Sequence, residues 1–238
     1  MPGMGTLINT AAILLGGLLG LTCGRFLKTG TQDTLCKTCG VATLFLGLAG
    51  AMEGLLSVEQ GTVVSGNSML LILSLALGAL IGELLRIEDR FEALGVWLRE
   101  KTGSAKDPQF VDGFVTASLT VCIGAMAIVG AIQDGIAHDP SILTAKAVLD
   151  LILIMVMTSS MGKGCVFSAL PVAMWQGSIT ALSGLLRPVL TEAAMNNLSM
   201  VGSVLIFCVG VNLVWGKRLK VANMLPSVFL AAAAALIF

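Results

Sequence analysis

Ionisable side chains inside long apolar runs come first, because each costs about 2.5–3.5 kcal/mol at a bilayer centre on insertion scales. Asp150 lies in the run KAVLDLILIMVMTSS, and Lys146 precedes it by one helical turn, placed to pair with it. Two readings stand: a cation or proton site, or a local ion pair that snorkels to the surface. Gln133-Asp134-Gly135 closes an earlier apolar run. Asp-Gly is a turn signal, so Asp134 reads first as a turn or capping residue. Asp134 and Asp150 nevertheless flank one short loop. Two carboxylates facing one vestibule suit a hard cation or a proton relay. Ser159 and Ser160 precede Gly162-Lys163-Gly164. Successive amides and a lysine suit an anion there if the next helix starts inside a bundle. Otherwise the segment is a turn with one lysine. Gln176, Asn9 and Asn212 are neutral amides in mid-run and suit hydrogen bonding between helices.

Other chemistry finds little footing. The sequence contains no nucleophile elbow, phosphate-binding glycine loop, HExxH or nucleotide fingerprint, so it points to no enzyme, no catalytic residue and no cofactor. Cys36-Lys-Thr-Cys39 is the one close cysteine pair, without a second pair or histidine cluster, so no metal site is expected. Zero formal net charge gives no footing for a nucleic-acid partner.

The elements that must hold these residues are membrane helices. Of the 238 residues, 56% are hydrophobic and 12% charged, and mean hydropathy is +0.94. Soluble domains carry about 25% charged residues. With roughly 20 residues needed per crossing, eight spans are expected: Thr6 to Gly24, Thr38 to Leu56, Ser68 to Leu85, Phe110 to Ile132, Leu143 to Met161, Cys165 to Leu186, Leu198 to Trp215 and Val221 to Phe238. The fifth and sixth are either two spans with a tight turn or pieces of one broken helix. The fold class is therefore an all-α polytopic membrane bundle, a single domain over 1–238. The N-terminal run lacks the basic flank of a cleavable signal.

Charge sets an orientation. If the first span ends in the cytoplasm, twelve Lys and Arg fall on that side, and only Lys146 and Arg187 on the other. That asymmetry predicts both termini outside a bacterial inner membrane. The polar connector 86–109 opens with RIEDRFEALGVWLREK, whose Ile87, Phe91, Leu94 and Leu98 share one helical face. It is expected to be an amphipathic helix on the cytoplasmic surface, with Trp97 near the headgroups. Gly16, Gly20 and Gly24, and likewise Gly78 and Gly82, recur every fourth residue and mark close helix packing. At an offset of 162 residues Arg25, Thr29, Gly40, Phe45 and Gly54 match Arg187, Thr191, Gly202, Phe207 and Gly216. The first three spans thus echo the last three in inverted orientation, as in many secondary transporters.

Four segments carry a resemblance over nearly the whole chain: GTLINTAAILLGGLLG, IGELLRIEDRFE, FVDGFVTASLTVCIGAMAIVGAIQDG and AKAVLDLILIMVMTSSMGKGCVFSALPVAMWQGSIT. They resemble the YqgA/YdfK-type family of uncharacterised bacterial inner-membrane proteins. The resemblance implies fold and location and no substrate. Two function classes follow. The first is secondary transport or export of a small solute or ion. In it Asp134 and Asp150 form the ionisable site, Lys146 tunes it, and Ser159 and Gln176 line the path. The second is a membrane scaffold or sensory partner working through the 86–109 helix. The lipid bilayer is the partner in both, and a homo-oligomer would add shared contacts.

Overall fold

The computed structural model describes residues 3–59, 61–105, 107–123, 125–186 and 191–235. Lys106 and Arg187 of the charge asymmetry, and the last three residues of the eighth expected span, lie outside them. The chain folds as an all-α membrane bundle. Among the described residues, six helices are long and apolar enough to cross a bilayer: α1 (Met4–Gly24), α2 (Thr29–Leu55), α3 (Ser68–Leu85), α7 (Ser141–Met161), α8 (Ala169–Leu186, led in by a 3-10 turn, Lys163–Ser168) and α9 (Glu192–Trp215). Two shorter apolar helices, α5 (Phe110–Cys122) and α6 (Ala125–Ala137), follow each other at a bend of 60° and together are long enough for one further span. Between α3 and α5 lies α4 (Ile87–Lys101), and the chain closes with α10 (Val221–Met224) and α11 (Pro226–Ala234).

Contacts fix the directions. Gly5, Gly16, Gly20 and Gly24 of α1 meet Leu143, Leu151, Met155 and Ser159 of α7, so these two helices run parallel. Gly40, Gly47 and Gly54 of α2 meet Leu213, Phe207 and Met200 of α9, an antiparallel pair. Gly78 and Gly82 of α3 meet Ser227 and Asn223, also antiparallel. Gly135 near the end of α6 lies against Thr180 and Ser183 near the end of α8. Two pairs, α1–α7 and α6–α8, are thus parallel, and two, α2–α9 and α3 with the α10–α11 segment, are antiparallel. One face carries α4 and most of the charged turns; this is the charged face. The other carries the start of α1 and a short hairpin, β1 (Leu56–Glu59) with β2 (Thr62–Ser65), antiparallel in register Leu56↔Ser65 to Glu59↔Thr62. This is the hairpin face.

Several elements differ from the sequence reading. The fourth expected span, Phe110 to Ile132, is not one straight helix. Ile123 turns extended (φ −83, ψ 127) and stops α5. Ser118 and Thr120 donate to the carbonyls of Phe114 and Thr116 at 2.6 and 2.7 Å, a pattern that bends helices. Gly162, at φ +84, makes a tight turn between α7 and the 3-10 lead-in of α8. The fifth and sixth spans are thus a hairpin of two crossings, and Lys163 is exposed at the turn. Helix α2 starts nine residues before the expected Thr38, which places Cys36 and Cys39 on the helix. The eighth segment is split at Pro226, whose missing N–H cannot continue α10. The hairpin lies between the second and third expected spans, where no element is expected.

The expected amphipathic helix is present as α4. Leu98 is buried, and Ile87, Phe91 and Leu94 pack against the core. Trp97 is 51% exposed. Arg86, at φ +51, forms the sharp corner that folds α4 back from α3. Left-handed backbone is uncommon for a side chain of this size, and the corner is held from outside by charged contacts described below.

Helix association in lipid lacks a hydrophobic drive, so close backbone contact at small residues must supply it. A Cβ on Gly82 would collide with the Asn223 carbonyl, whereas one on Gly30 would meet nothing within 4 Å. Gly82→Ala is therefore expected to destabilise by about 1–3 kcal/mol, as overpacking does. Gly30→Ala should be neutral or slightly stabilising. Thermal unfolding of the two purified variants checks the pair.

Candidate functional site

The polar residues inside the bundle converge on one face of α1. Asn9 is fully buried, and its amide donates to Gln176 Oε1 of α8 at 3.2 Å. Asn9 lies between Gly5 and Gly16, which meet Leu143 and Leu151, so it stands level with Lys146 and Asp150 of α7. Lys146 Nζ donates to Asp150 Oδ2 at 2.5 Å, and both side chains are more than nine-tenths buried. One turn toward the hairpin face, the Gly5 N–H donates to Asp134 Oδ2 at 3.0 Å. Thr6 and Thr180 share a hydrogen bond at 3.4 Å.

These positions follow from local rules. Lys146 and Asp150 are i and i+4 on α7, so helix geometry alone makes them neighbours. They do not snorkel, because α1 packs over them. Asp134 is not a turn residue. It sits within α6, is fully buried, and places its carboxylate at the open N–H groups that begin α1. Three polar atoms in the cluster are buried without a protein partner: Asn9 Oδ1, Gln176 Nε2 and Asp134 Oδ1. Unpaired groups of this kind are costly in apolar surroundings and mark places where a ligand or water completes the set.

Four of the five residues singled out from sequence, Asp134, Lys146, Asp150 and Gln176, therefore lie around α1. Ser159 lies apart, nine residues beyond Asp150, or about 13 Å along the helix axis. Its hydroxyl donates to the Val156 carbonyl at 2.7 Å. Asn212 does not bridge helices; it closes the turn after α9, donating to the Leu219 carbonyl at 2.8 Å and accepting from the N–H groups of Arg218 and Leu219 at 2.9 Å.

A cavity of roughly 620 Å³ opens at the charged face. Asp33 and Cys36 of α2, Glu88 of α4, Asp112, Thr116 and Leu119 of α5, Ser160 of α7 and Asn212 of α9 line it. Its size is that of small-ligand pockets. Leu119 is nine residues into α5, so the cavity reaches about 13 Å inward, and Cys122 lies one turn further on. Sequence reasoning missed Ser160, Cys36 and Thr116 as lining residues. Their one signal was polar character at a span end.

Ion pairs brace the mouth. Glu88 is buried; it pairs with Lys217 at 3.0 Å and accepts the Ala222 N–H at 2.9 Å. Lys217 also pairs with Glu92. Glu83 pairs with Lys220 at 2.9 Å and accepts from Asn223 at 2.6 Å. Asn223 Oδ1 in turn accepts the Glu88 N–H at 2.7 Å. This web ties the α3–α4 corner to the α9–α10 turn. Partial burial pulls the Lys217 pKa down, but its bonds to Glu92 and Glu88 outweigh that, and the net direction is up from 10.5. The hydrogen bond to Glu83 raises Lys220 from the same value.

Two outcomes follow. Asp150→Leu or Lys146→Met alone leaves one buried charge unpaired and should cost about 3–5 kcal/mol. The double variant should recover most of that loss, as read by thermal unfolding. For the lysines the folded-state pKa is raised, so their stabilisation is complete below the ordinary lysine value and is lost as pH climbs through the raised one. The thermal midpoint should therefore fall above about pH 10.5, and by less in the Lys217→Met/Lys220→Met protein.

No solved structure matches this chain. Among curated proteins, it is 29% identical over 226 residues to "Uncharacterized membrane protein YdfK" of Bacillus subtilis (strain 168), covering 95% of this chain and 93% of that protein. It is 29% identical over 233 residues to "Uncharacterized protein YqgA" of Escherichia coli (strain K12), covering 96% and 94%. The family described as "Protein of unknown function (DUF554)" matches residues 4–236. With that match spanning nearly the whole chain, and with a bundle of long apolar helices to go with it, this protein is a membrane protein that belongs to the DUF554 family.

Proposed function

We propose that the protein is a secondary transporter or exporter of a small solute or ion. One observation carries the reading: a lysine–carboxylate pair buried in mid-bundle beside fully buried amides with unpartnered atoms. Intramembrane ionisable residues mark ion and substrate paths. The cavity supports it, because it runs from the charged face about 13 Å along α5, toward the depth of Cys122. In this reading Asp150 is the ionisable centre and Lys146 its counter-charge. Asn9 and Gln176 supply the polar contacts, and Asp134 holds the start of α1. Ser159 and its neighbour Ser160 stand at the entrance. The charged face is cytoplasmic, which leaves both termini outside a bacterial inner membrane; the Lys and Arg asymmetry supports this. A scaffold working through the apolar face of α4 is disfavoured, since Ile87, Phe91, Leu94 and Leu98 are already used in packing.

The test is a thermal-stability screen of the detergent-purified protein against monovalent and divalent cations, amino acids and small carboxylates. A ligand at a hundredfold excess over Kd stabilises the folded state by about 2.7 kcal/mol. The expected result is an upward shift with one class that disappears in Asp150→Asn. A shift that persists unchanged in that variant would remove Asp150 from the site, and no shift with any class would count against transport.

A further inference from the structure

The first three apolar segments and the last three are related by more than sequence matches. Moving α9 back by 162 residues places it on 30–53, inside α2, and moving α8 back places its end on residue 24, where α1 ends. Each helix also packs antiparallel against its own counterpart. In α1 and α8, Thr6 meets Thr180 and Asn9 meets Gln176. In α2 and α9, Gly47 meets Phe207 and Gly54 meets Met200. In α3 and the α10–α11 segment, Gly78 meets Ser227 and Gly82 meets Asn223. The parallel packing of α7 on α1 has its own counterpart in the parallel packing of α6 on α8. These relations describe an inverted repeat whose two-fold axis lies in the membrane plane.

One departure from that symmetry bears on the path. On the charged face Asp33 and Cys36 of α2 and Asn212 and Gly216 of α9 line the cavity. Their counterparts on the hairpin face are shut. Gly50, the counterpart of Asn212, is pressed on Ser203, and Gly54, the counterpart of Gly216, on Met200. Leu198 is 2% exposed, whereas its counterpart Cys36 is half-buried; Ala51 and its counterpart, the lining residue Leu213, are both 7% exposed. We infer that a second vestibule opens on the hairpin face between α2 and α9, lined by Gly50, Ala51, Gly54 and Leu198, when the cavity on the charged face closes. It admits water and small solutes, and it is the other end of the path on which the transport reading rests. The buried Lys146–Asp150 pair and the Asn9–Gln176 amides lie between the two vestibules and are reached from one at a time.

The full-length protein in membrane vesicles tests this, with Cys23→Ser removing the one fully exposed thiol among the described residues. Asn212→Cys and Ala51→Cys are added singly and treated with a membrane-impermeant maleimide from each face. Val63→Cys on the hairpin, 68% exposed, is the accessible control. Asn212→Cys is expected to react from the charged face. Ala51→Cys is expected to react from the hairpin face at no less than about a thousandth of the control rate, because minor conformations are populated at roughly 0.1–10%. Ala51→Cys that stays at the level of the Cys23→Ser parent, while Asn212→Cys reacts, overturns the inference. If Ala51→Cys fails to fold, spin labels at Ser57→Cys and Glu192→Cys report the same opening. Two distance populations support it, and one narrow population overturns it. A ligand shift in the thermal screen combined with a protected Ala51→Cys would keep the transport reading and discard the second vestibule.

Discussion

Within a bilayer a helix gains nothing by exchanging lipid for another apolar helix, so what holds two helices together is contact close enough for their backbones to touch. In this protein that contact is the seam between α1 and α7, where Gly16, Gly20 and Gly24 lie against the backbone of Leu151, Met155 and Ser159. The seam fixes the axial register of the two helices. Register in turn puts Asn9 over the Lys146–Asp150 pair and brings Gln176 across from α8. A larger residue at Gly16 would separate the backbones, and the polar cluster would lose the neighbour that covers it.

The polar cluster and the cavity depend on each other in a second way. A buried ion pair is weak support for a fold, because desolvation offsets much of its attraction. Nearby apolar packing of Leu143, Ile154 and Phe114 would hold the bundle without it. The charged web at the mouth has a different character. It runs from the exposed Glu83–Lys220 pair to the buried Glu88 and ties the α3–α4 corner to the α9–α10 turn at the wall of the cavity. Stability is thus supplied by glycine seams and apolar cores, while the charges shape the space between them.

Much of this was legible in the residues. The bounds of α3 coincide with those expected from hydropathy, and the Lys146–Asp150 pairing follows from spacing on one helix. The apolar face of α4 follows from its period. What escaped depends on partners far away in the chain. Glu88 lies off the apolar face of α4, and the partners that bury it, Lys217 and Ala222, lie about 130 residues on. Asn9 looked like a generic bridge, and its meeting with Gln176 spans 167 residues. Asp134 read as a turn because Asp-Gly usually is one, and the N-terminus of another helix outweighed that preference. The break after α5 escaped because hydroxyls bonded to carbonyls within one helix are invisible to hydropathy.

The parallel α1–α7 seam also has a consequence for biosynthesis. Gly16 meets Leu151, 135 positions later in the chain, so α1 leaves the ribosome long before its partner exists. Helix α2 waits longer still for α9. The N-terminal pair must therefore sit in lipid, or against the insertion machinery, with Asn9 and its uncovered amide unmatched until more than half of the protein has been made. Assembly is late and non-local, and the interval between insertion of α1 and arrival of α7 is when the chain is most exposed to mispairing and degradation.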